Sequence, residues 1–161
     1  MKNCGINSIT ISSISHATED ENKVLEAMSD FIPEDINEDD VDIETVQSEG
    51  CFGNPIYIHK ITIKKEKSAK KVFNHIVDLI KSDINNIFKI NKDIDLRIDK
   101  NKLYLRFNKQ KAYLGNYEIT DGDDVIRIVI NFKIFAPKNK ENIVKDVVLS
   151  KLKPKFKKLE E

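Results

Sequence analysis

A short stretch near residue 105 combines positively charged side chains with two tyrosines. Arg106, Lys109 and Lys111 lie close together, with Tyr104 before them and Tyr113 after them. Cationic side chains neutralise phosphate groups, and the release of condensed counterions supplies affinity that does not depend on base sequence. Tyrosine rings stack on unpaired bases, which contributes about 1–3 kcal/mol per base. The stretch therefore predicts contact with a nucleic acid, and a solvated charged surface explains the same residues equally well.

Two segments with alternating apolar residues must position these side chains. Apolar residues alternate with polar ones over 103–107 and again over 126–134. Because successive side chains of a strand point to opposite faces, each segment predicts a strand with an apolar face toward helices and a second face that is basic and polar. Arg127 extends the basic face if the two strands are neighbours. A turn is expected to follow the first strand, and residues 106–113 hold its cations.

The rest of the chain predicts further helices and strands from the same periodicities. Thr18 followed by Glu21 has the form of a capping box at the start of a helix. Residues 83–101 are less distinct: the pattern is helical to about residue 90 and undecided between helix and strand over 93–98. Strands are predicted over 6–15, 41–45 and 56–63, and helices over 16–33, 66–82 and 138–152.

Strands that occur in pairs between helices predict an α+β fold. The expected architecture is a two-layer sandwich, with helices packed on one face of a mostly antiparallel sheet. The composition, 40% apolar and 34% charged, is ordinary for a globular protein. One domain is predicted over residues 1–153, followed by a charged C-terminal tail at 154–161.

Charge is distributed unevenly along the chain. The 27 basic and 27 acidic residues cancel. Residues 1–60 hold 3 basic and 13 acidic residues, a net of −10, and residues 61–161 hold 24 and 14, a net of +10. Such a split places a positive field on one side of the fold unless the two halves interleave in space. A second cationic group has the form of a solubilising edge and comprises Lys60, Lys64, Lys65, Lys67, Lys70 and Lys71.

Sequence signals for catalysis, metals and membranes are weak. The histidines and cysteines do not follow metal-ligand or nucleophile spacing, and no phosphate-cradling glycine motif is present. The segment "DGDD" at 121–124 is more typical of a turn than of a calcium loop. No enzyme activity, metal or cofactor is therefore predicted. There is no apolar run of membrane-spanning length, and two free thiols suit a reducing cytosol, so a cytoplasmic location without membrane contact is expected.

Four segments together resemble one protein family. They are "ISHATEDENKVLEAM" at 14–28, "GCFGNPI" at 50–56, "LYLRFNKQKAYLG" at 103–115 and "DDVIRIVINF" at 123–132. Their order and spacing are similar to those of an archaeal family of predicted RNA-binding proteins, often labelled predicted exosome subunits. The family's fold is described as similar to that of a ribosomal protein that binds 5S RNA. The resemblance implies RNA binding, a link to RNA processing or ribosomes, and no catalytic residues.

The resemblance also implies site residues. The family often has an acidic residue before "KQ", where this chain has Asn108. Gly53 and its neighbours are equally typical of a tight turn, and Thr18 and Glu19 are more typical of a helix start than of a ligand. The positions carried over from the family motifs are Asn54, Arg106, Lys109, Gln110 and Tyr113. Together with Tyr104, Lys111 and Arg127, they form the predicted RNA-binding set.

Two hypotheses for the main function follow. The first is a non-catalytic RNA-binding protein that uses the basic sheet face and the 106–113 turn, with RNA as its partner. The alternative is a protein-interaction subunit whose acidic segment, Glu34 to Glu49, docks a basic partner within an RNA-processing or ribosomal assembly.

Overall fold

The alternating segments form one six-stranded sheet in the computed structural model, which describes residues 4–135 and 138–153 and only the backbone at position 51. The sheet order is β2-β3-β1-β6-β5-β4, and the strand pairs are antiparallel. This arrangement confirms the predicted α+β class with an antiparallel sheet. The strands are β1 (Cys4–Ser15), β2 (Val41–Glu49), β3 (Pro55–Ile63), β4 (Ile98–Asp99), β5 (Lys102–Asn108) and β6 (Val125–Ile134).

Helices cover one face of this sheet. Helix α2 shows why: residues spaced three and four apart, including Val72, Phe73 and Ile76, are buried and form an apolar stripe toward β1. The helices are α1 (Glu21–Ser29), α2 (Glu66–Lys81), α3 (Ile84–Arg97), α4 (Lys109–Tyr113) and α5 (Lys140–Leu152). None of the helices in the part of the chain that the structure describes is long and apolar enough to cross a membrane.

The strand register fixes which side chains reach the core. Ile128 of β6 lies opposite Ile11 of β1 and Leu105 of β5, and all three are buried against the helices. The neighbouring position, Arg127, therefore points to the other face, which is not covered by a helix layer in the part of the chain that the structure describes. We call this second face the open face. It carries the alternate residues of β5, β6, β1, β3 and β2.

The start of α1 differs from the predicted capping box. Asp20, not Thr18, caps the helix, because its carboxylate accepts a hydrogen bond from the Asn22 N–H at 2.9 Å. Glu19 accepts a hydrogen bond from the His16 N–H, and its carboxylate also binds Lys109. The capping-box prediction was therefore wrong, although a helix does begin here.

The structure also settles the undecided residues 93–98 and corrects the turn that was predicted after β5. Of the undecided residues 93–98, positions 93–97 continue helix α3 through a local break at Asp93 (φ −124°, ψ 22°), and Ile98 begins β4. The stretch after β5 is not an open turn: α4 begins at Lys109, and the Asn108 side chain caps it by accepting from the Lys111 N–H at 3.0 Å. Helix α5 ends at Leu152 as expected, and the predicted tail at 154–161 lies outside the described residues.

Candidate functional site

Two arginines face each other at the centre of the basic part of the open face. Arg106 of β5 lies directly opposite Arg127 of β6. The row continues from Arg127 to Ser12 of β1 and then to Lys60 of β3. Like charges directly opposite each other on neighbouring strands are destabilising. We call Arg106 and Arg127 the arginine pair, and its position marks a place that favours an anion.

A tyrosine ring lies beside the arginine pair on the same face. Tyr104 precedes Arg106 by two positions on β5, so both side chains point to the open face. It is 41% exposed, which leaves a ring face available for contact. The groove beside it is lined by Tyr104, both members of the arginine pair, Arg97 and Asp121. A ring and guanidinium groups in one groove suit a ligand that has both a flat group and negative charge.

The carboxylates in this groove already interact with positively charged side chains of the protein. Arg97 is buried and binds Asp93 at 2.7 and 2.9 Å, and its Nη2 lies 3.6 Å from Asp121. The hydrogen bond from Lys89 lowers the pKa of Asp121, with further lowering by the charges of Arg97 and Arg106. In contrast, neither arginine of the pair forms a salt bridge with any residue in 4–135 or 138–153. The arginine pair is therefore not neutralised by an ion pair among the described residues, although the charge of Arg106 acts on nearby Asp121.

Lys109, three residues after Arg106, has a very different environment. It is 1% exposed, and its ammonium group donates to Glu19 Oε1 at 2.8 Å and to the carbonyl of Ile14 at 2.8 Å. Its third partner is Asp124 Oδ1 at 2.7 Å. Three donors meet three acceptors, so the buried charge is both paired and hydrogen-bonded.

Two neighbours of Lys109 complete the same network. The Tyr113 hydroxyl donates to Glu19 Oε2 at 3.0 Å, and the Gln110 side-chain amide donates to Asp124 Oδ2 at 2.9 Å. We call Lys109, Glu19, Asp124, Tyr113 and Gln110 the lysine network. It joins the end of β1, the start of α1, α4 and the start of β6. The network therefore fixes the position of the segment that follows β5.

The lysine network keeps its two carboxylates ionised. Burial raises the pKa of Glu19 and of Asp124, but the hydrogen bonds and charge of Lys109 outweigh it, so both pKa values fall below their usual range. Burial and the hydrogen bond to Glu19 raise the pKa of the Tyr113 hydroxyl, which stays protonated as a donor. His16, Glu19 and Asp124 lie close enough to share an ion, but the Lys109 ammonium already binds both carboxylates.

The structure thus separates the predicted site residues into two groups. Tyr104, Arg106 and Arg127 converge on the open face, as expected for neighbouring strands. Lys109 does not join them, because its burial removes its charge from the surface. Gln110 is exposed, yet it is held by Asp124, and Tyr113 is partly buried against Glu19. Lys111 is exposed and forms an ion pair with Glu118.

Asn54 lies away from both groups. It follows the turn between β2 and β3, where its carbonyl accepts from the Gly50 N–H at 2.7 Å. Gly53 has φ +74°, a conformation that favours glycine, so the tight-turn interpretation of this segment is confirmed. Strand β1 separates β3 from β6, which keeps Asn54 distant from the arginine pair.

Sequence reasoning missed Glu19 and Asp124 as partners of Lys109. A signal was present: Lys109 continues the alternation of Leu103, Leu105 and Phe107, so its parity places it on the buried face. A buried lysine needs carboxylate partners, since an unpaired buried charge is costly. Which carboxylates would fold next to it could not be inferred from local spacing.

Comparisons with known proteins agree on one family. A family model described as RNA binding matches residues 8–132. A protein of Methanocaldococcus jannaschii, described as uncharacterised, is 56% identical over 147 residues, which cover 91% of this chain and 98% of that protein. An RNA-binding protein of Pyrococcus abyssi is 39% identical over 141 residues, which cover 86% of this chain and 89% of the relative.

A solved structure shares the fold. The crystal structure of a protein from Archaeoglobus fulgidus superposes with a TM-score of 0.71 at 29% sequence identity. The match covers 88% of this chain and 96% of the other chain. The α+β architecture is therefore common to this chain and the Archaeoglobus fulgidus protein.

Proposed function

Since this chain belongs to the RNA-binding family whose model it matches, we propose that it binds RNA on the open face, centred on the arginine pair. The Pyrococcus abyssi relative, named an RNA-binding protein, supports RNA as the partner. The observation that carries the choice of surface is the placement of Arg106 opposite Arg127 without carboxylate partners in the described residues. A phosphate between the two guanidinium groups relieves their mutual repulsion.

Tyr104 gives this surface a second mode of contact. Its exposed ring lies on the same strand and face as Arg106, so a base stacks on the ring while its phosphate lies over the arginine pair. Ser12 and Lys60 extend the row across β1 and β3 and supply further phosphate contacts. The surface thus combines positioning by phosphate contacts with stacking on a base.

The lysine network has a supporting role in this proposal. Lys109, Gln110 and Tyr113 hold α4 and the end of β5, the strand that carries Tyr104 and Arg106. They are positioning residues and do not touch RNA. Lys111 lies at the exposed rim and is shared with Glu118, so its contribution to affinity is smaller than that of the arginine pair.

We further propose that the protein is non-catalytic and takes part in RNA processing or ribosome-related RNA metabolism. The four motif segments that resemble the predicted exosome-subunit family support this assignment. The same resemblance implies a fold similar to that of a ribosomal protein that binds 5S RNA, which supports structured RNA as one class of target. Because the proposed protein is non-catalytic, incubation of labelled RNA with it is expected to leave the RNA intact.

Fluorescence anisotropy tests the proposed surface. Nuclease-treated protein is titrated with a labelled single-stranded RNA and a labelled RNA hairpin over a salt series. The double variant Arg106→Ala/Arg127→Ala is expected to weaken binding by about tenfold to a hundredfold, and to reduce the salt slope by about 1.4 on single strands, since two phosphate contacts are lost.

A matched control removes the same charge elsewhere. Lys67 and Lys70 are exposed on α2, and Lys67→Ala/Lys70→Ala also removes two positive charges. This variant is expected to keep wild-type affinity within about twofold. Equal losses in the two double variants would show that net charge alone governs binding, and would contradict the assignment of the surface.

A further inference from the structure

Strand β2 forms a long open edge of the sheet. It runs over nine residues, Val41–Glu49, and in the described part of the chain it pairs on one side only, with β3. The opposite edge is different: β4 has two residues and packs against α3 and α5. An edge strand presents a row of unpaired N–H and C=O groups that can pair with another strand.

An apolar groove lies beside this edge on the helix face. It is lined by Ile32, Pro33, Ile36, Val41 and Ile43. Ile43 is 61% exposed although it lies on the face of β2 that points toward the helices. The helix layer therefore stops short of the edge and leaves room for apolar side chains from an added strand.

The charge of the edge selects the kind of strand that fits. Residues 34–49 contain eight acidic residues and no basic one. Asp42 and Glu44 are exposed on the open face of β2 itself, beside the position where an added strand would place its own side chains. A second copy of β2 would bring acidic residues next to acidic residues, which disfavours pairing between copies of this chain.

We infer that β2 accepts a strand from a protein partner in which basic and apolar residues alternate. Main-chain hydrogen bonds supply affinity, and the two-residue period of a strand supplies specificity. Basic side chains on one side of that strand lie beside Asp42 and Glu44, and apolar side chains on the other side cover Ile43 and the groove. RNA does not fit this edge, because its phosphates would meet carboxylates.

The partner edge is separate from the arginine pair, although Lys60, at the far end of the proposed RNA row, lies opposite Glu44 of β2. Strands β3 and β1 separate β2 from β6, which carries Arg127. A strand added at β2 extends the sheet sideways and leaves the arginine pair uncovered. The protein can therefore hold RNA and a protein partner at the same time. The inference does not depend on the proposed RNA function.

Designed peptides on the full chain test this edge. The probe is a fluorescein-labelled nine-residue peptide of alternating lysine and valine. Two comparison peptides alternate glutamate and valine, or carry the lysines and valines of the probe in two blocks. The alternating basic peptide is expected to bind at least about tenfold more tightly than either, since only it combines favourable charge with strand periodicity. Equal binding of the block peptide would overturn strand addition.

Charge reversal at the edge gives a second test. Asp42→Lys/Glu44→Lys changes two exposed residues. This variant is expected to bind the basic peptide about tenfold more weakly and the acidic peptide more tightly than the wild type. The matched control, Asp78→Lys/Asp99→Lys, makes the same charge change at exposed residues of α2 and β4 and should leave both affinities near wild type. Equal effects in the two variants would overturn the assignment of the edge.

Amide hydrogen exchange locates the peptide in the wild-type protein. Bound probe is expected to slow exchange in residues 41–49, because their outward N–H groups gain partners. Protection that appears in β5 or β6 and not in β2 would contradict the inference.

Discussion

The arginine pair and the lysine network have opposite environments, although Arg106 of the pair and Lys109 of the network are only three residues apart. Arg106 lies on the open face opposite another arginine, without a salt bridge in the described residues. Lys109, three positions later, is 1% exposed and binds two carboxylates and a carbonyl. The difference shows that a cluster of cations in a sequence is not yet a binding surface. The parity of Arg106 along β5 turns its charge to the open face, whereas Lys109, the first residue of α4, is buried among its partners.

The largest expected effect is the loss of the buried cation. Lys109→Met keeps a similar side-chain volume but leaves Glu19 and Asp124 without their common partner. We expect the free energy of unfolding to fall by about 3–5 kcal/mol, because a buried charge that loses its partner remains desolvated. Urea denaturation followed by circular dichroism measures this loss. A change below about 1 kcal/mol would show that the network does not stabilise the fold.

Acidification is expected to weaken the same network in part. The pKa values of Glu19 and Asp124 are lower in the folded protein than their ordinary values of 4.5 and 3.8. Their contribution to stability is therefore fully present above about pH 4.5, and it is lost as the pH falls through the lower folded-state values. Denaturation curves between pH 7 and pH 3 check this. Asp124→Asn should show a shallower fall than wild type, and an identical profile would contradict the linkage.

Removal of one hydrogen-bond donor from the lysine network should lower the free energy of unfolding less than the loss of Lys109 does. Tyr113→Phe deletes the hydroxyl that donates to Glu19 and leaves the ring in place. A hydrogen bond to a charged group contributes about 1.5–3 kcal/mol, so the free energy of unfolding should fall by that amount. Lys111→Ala, which breaks an exposed ion pair, is the comparison and should cost under about 1 kcal/mol. A larger loss of stability for Lys111→Ala than for Tyr113→Phe would contradict the conclusion that the buried network stabilises the fold more than the exposed ion pair does.

The smallest effect on stability is expected at the arginine pair. Arg106→Ala/Arg127→Ala removes two like charges that lie directly opposite each other, so the free energy of unfolding should change by less than about 0.5 kcal/mol in either direction. The same variant should lose RNA affinity. A large loss of stability would mean that the pair serves the fold and would weaken its assignment as a ligand site.

Much of this contrast was predictable from the sequence, and part of it was not. Alternation over 103–107 and 126–134 predicted the two strands, and it placed Tyr104, Arg106 and Arg127 on the polar faces of their own strands, because a strand has a strict two-residue period. Pairing of β5 with β6 was needed to bring the arginines together, and strand pairing is not encoded by local periodicity. The partners of Lys109 could not be predicted, since Glu19 and Asp124 are distant in the chain and meet it only after folding.

Chemical-shift mapping by nuclear magnetic resonance tests the central claim most directly. Isotope-labelled protein is titrated with a short single-stranded RNA, and the perturbed amides are assigned to the fold. The account predicts that the largest changes fall in β5 and β6, around Tyr104, Arg106 and Arg127, with smaller changes at Ser12. Changes centred on the lysines of α2, with the arginine pair unaffected, would contradict the proposal that RNA binds the open face.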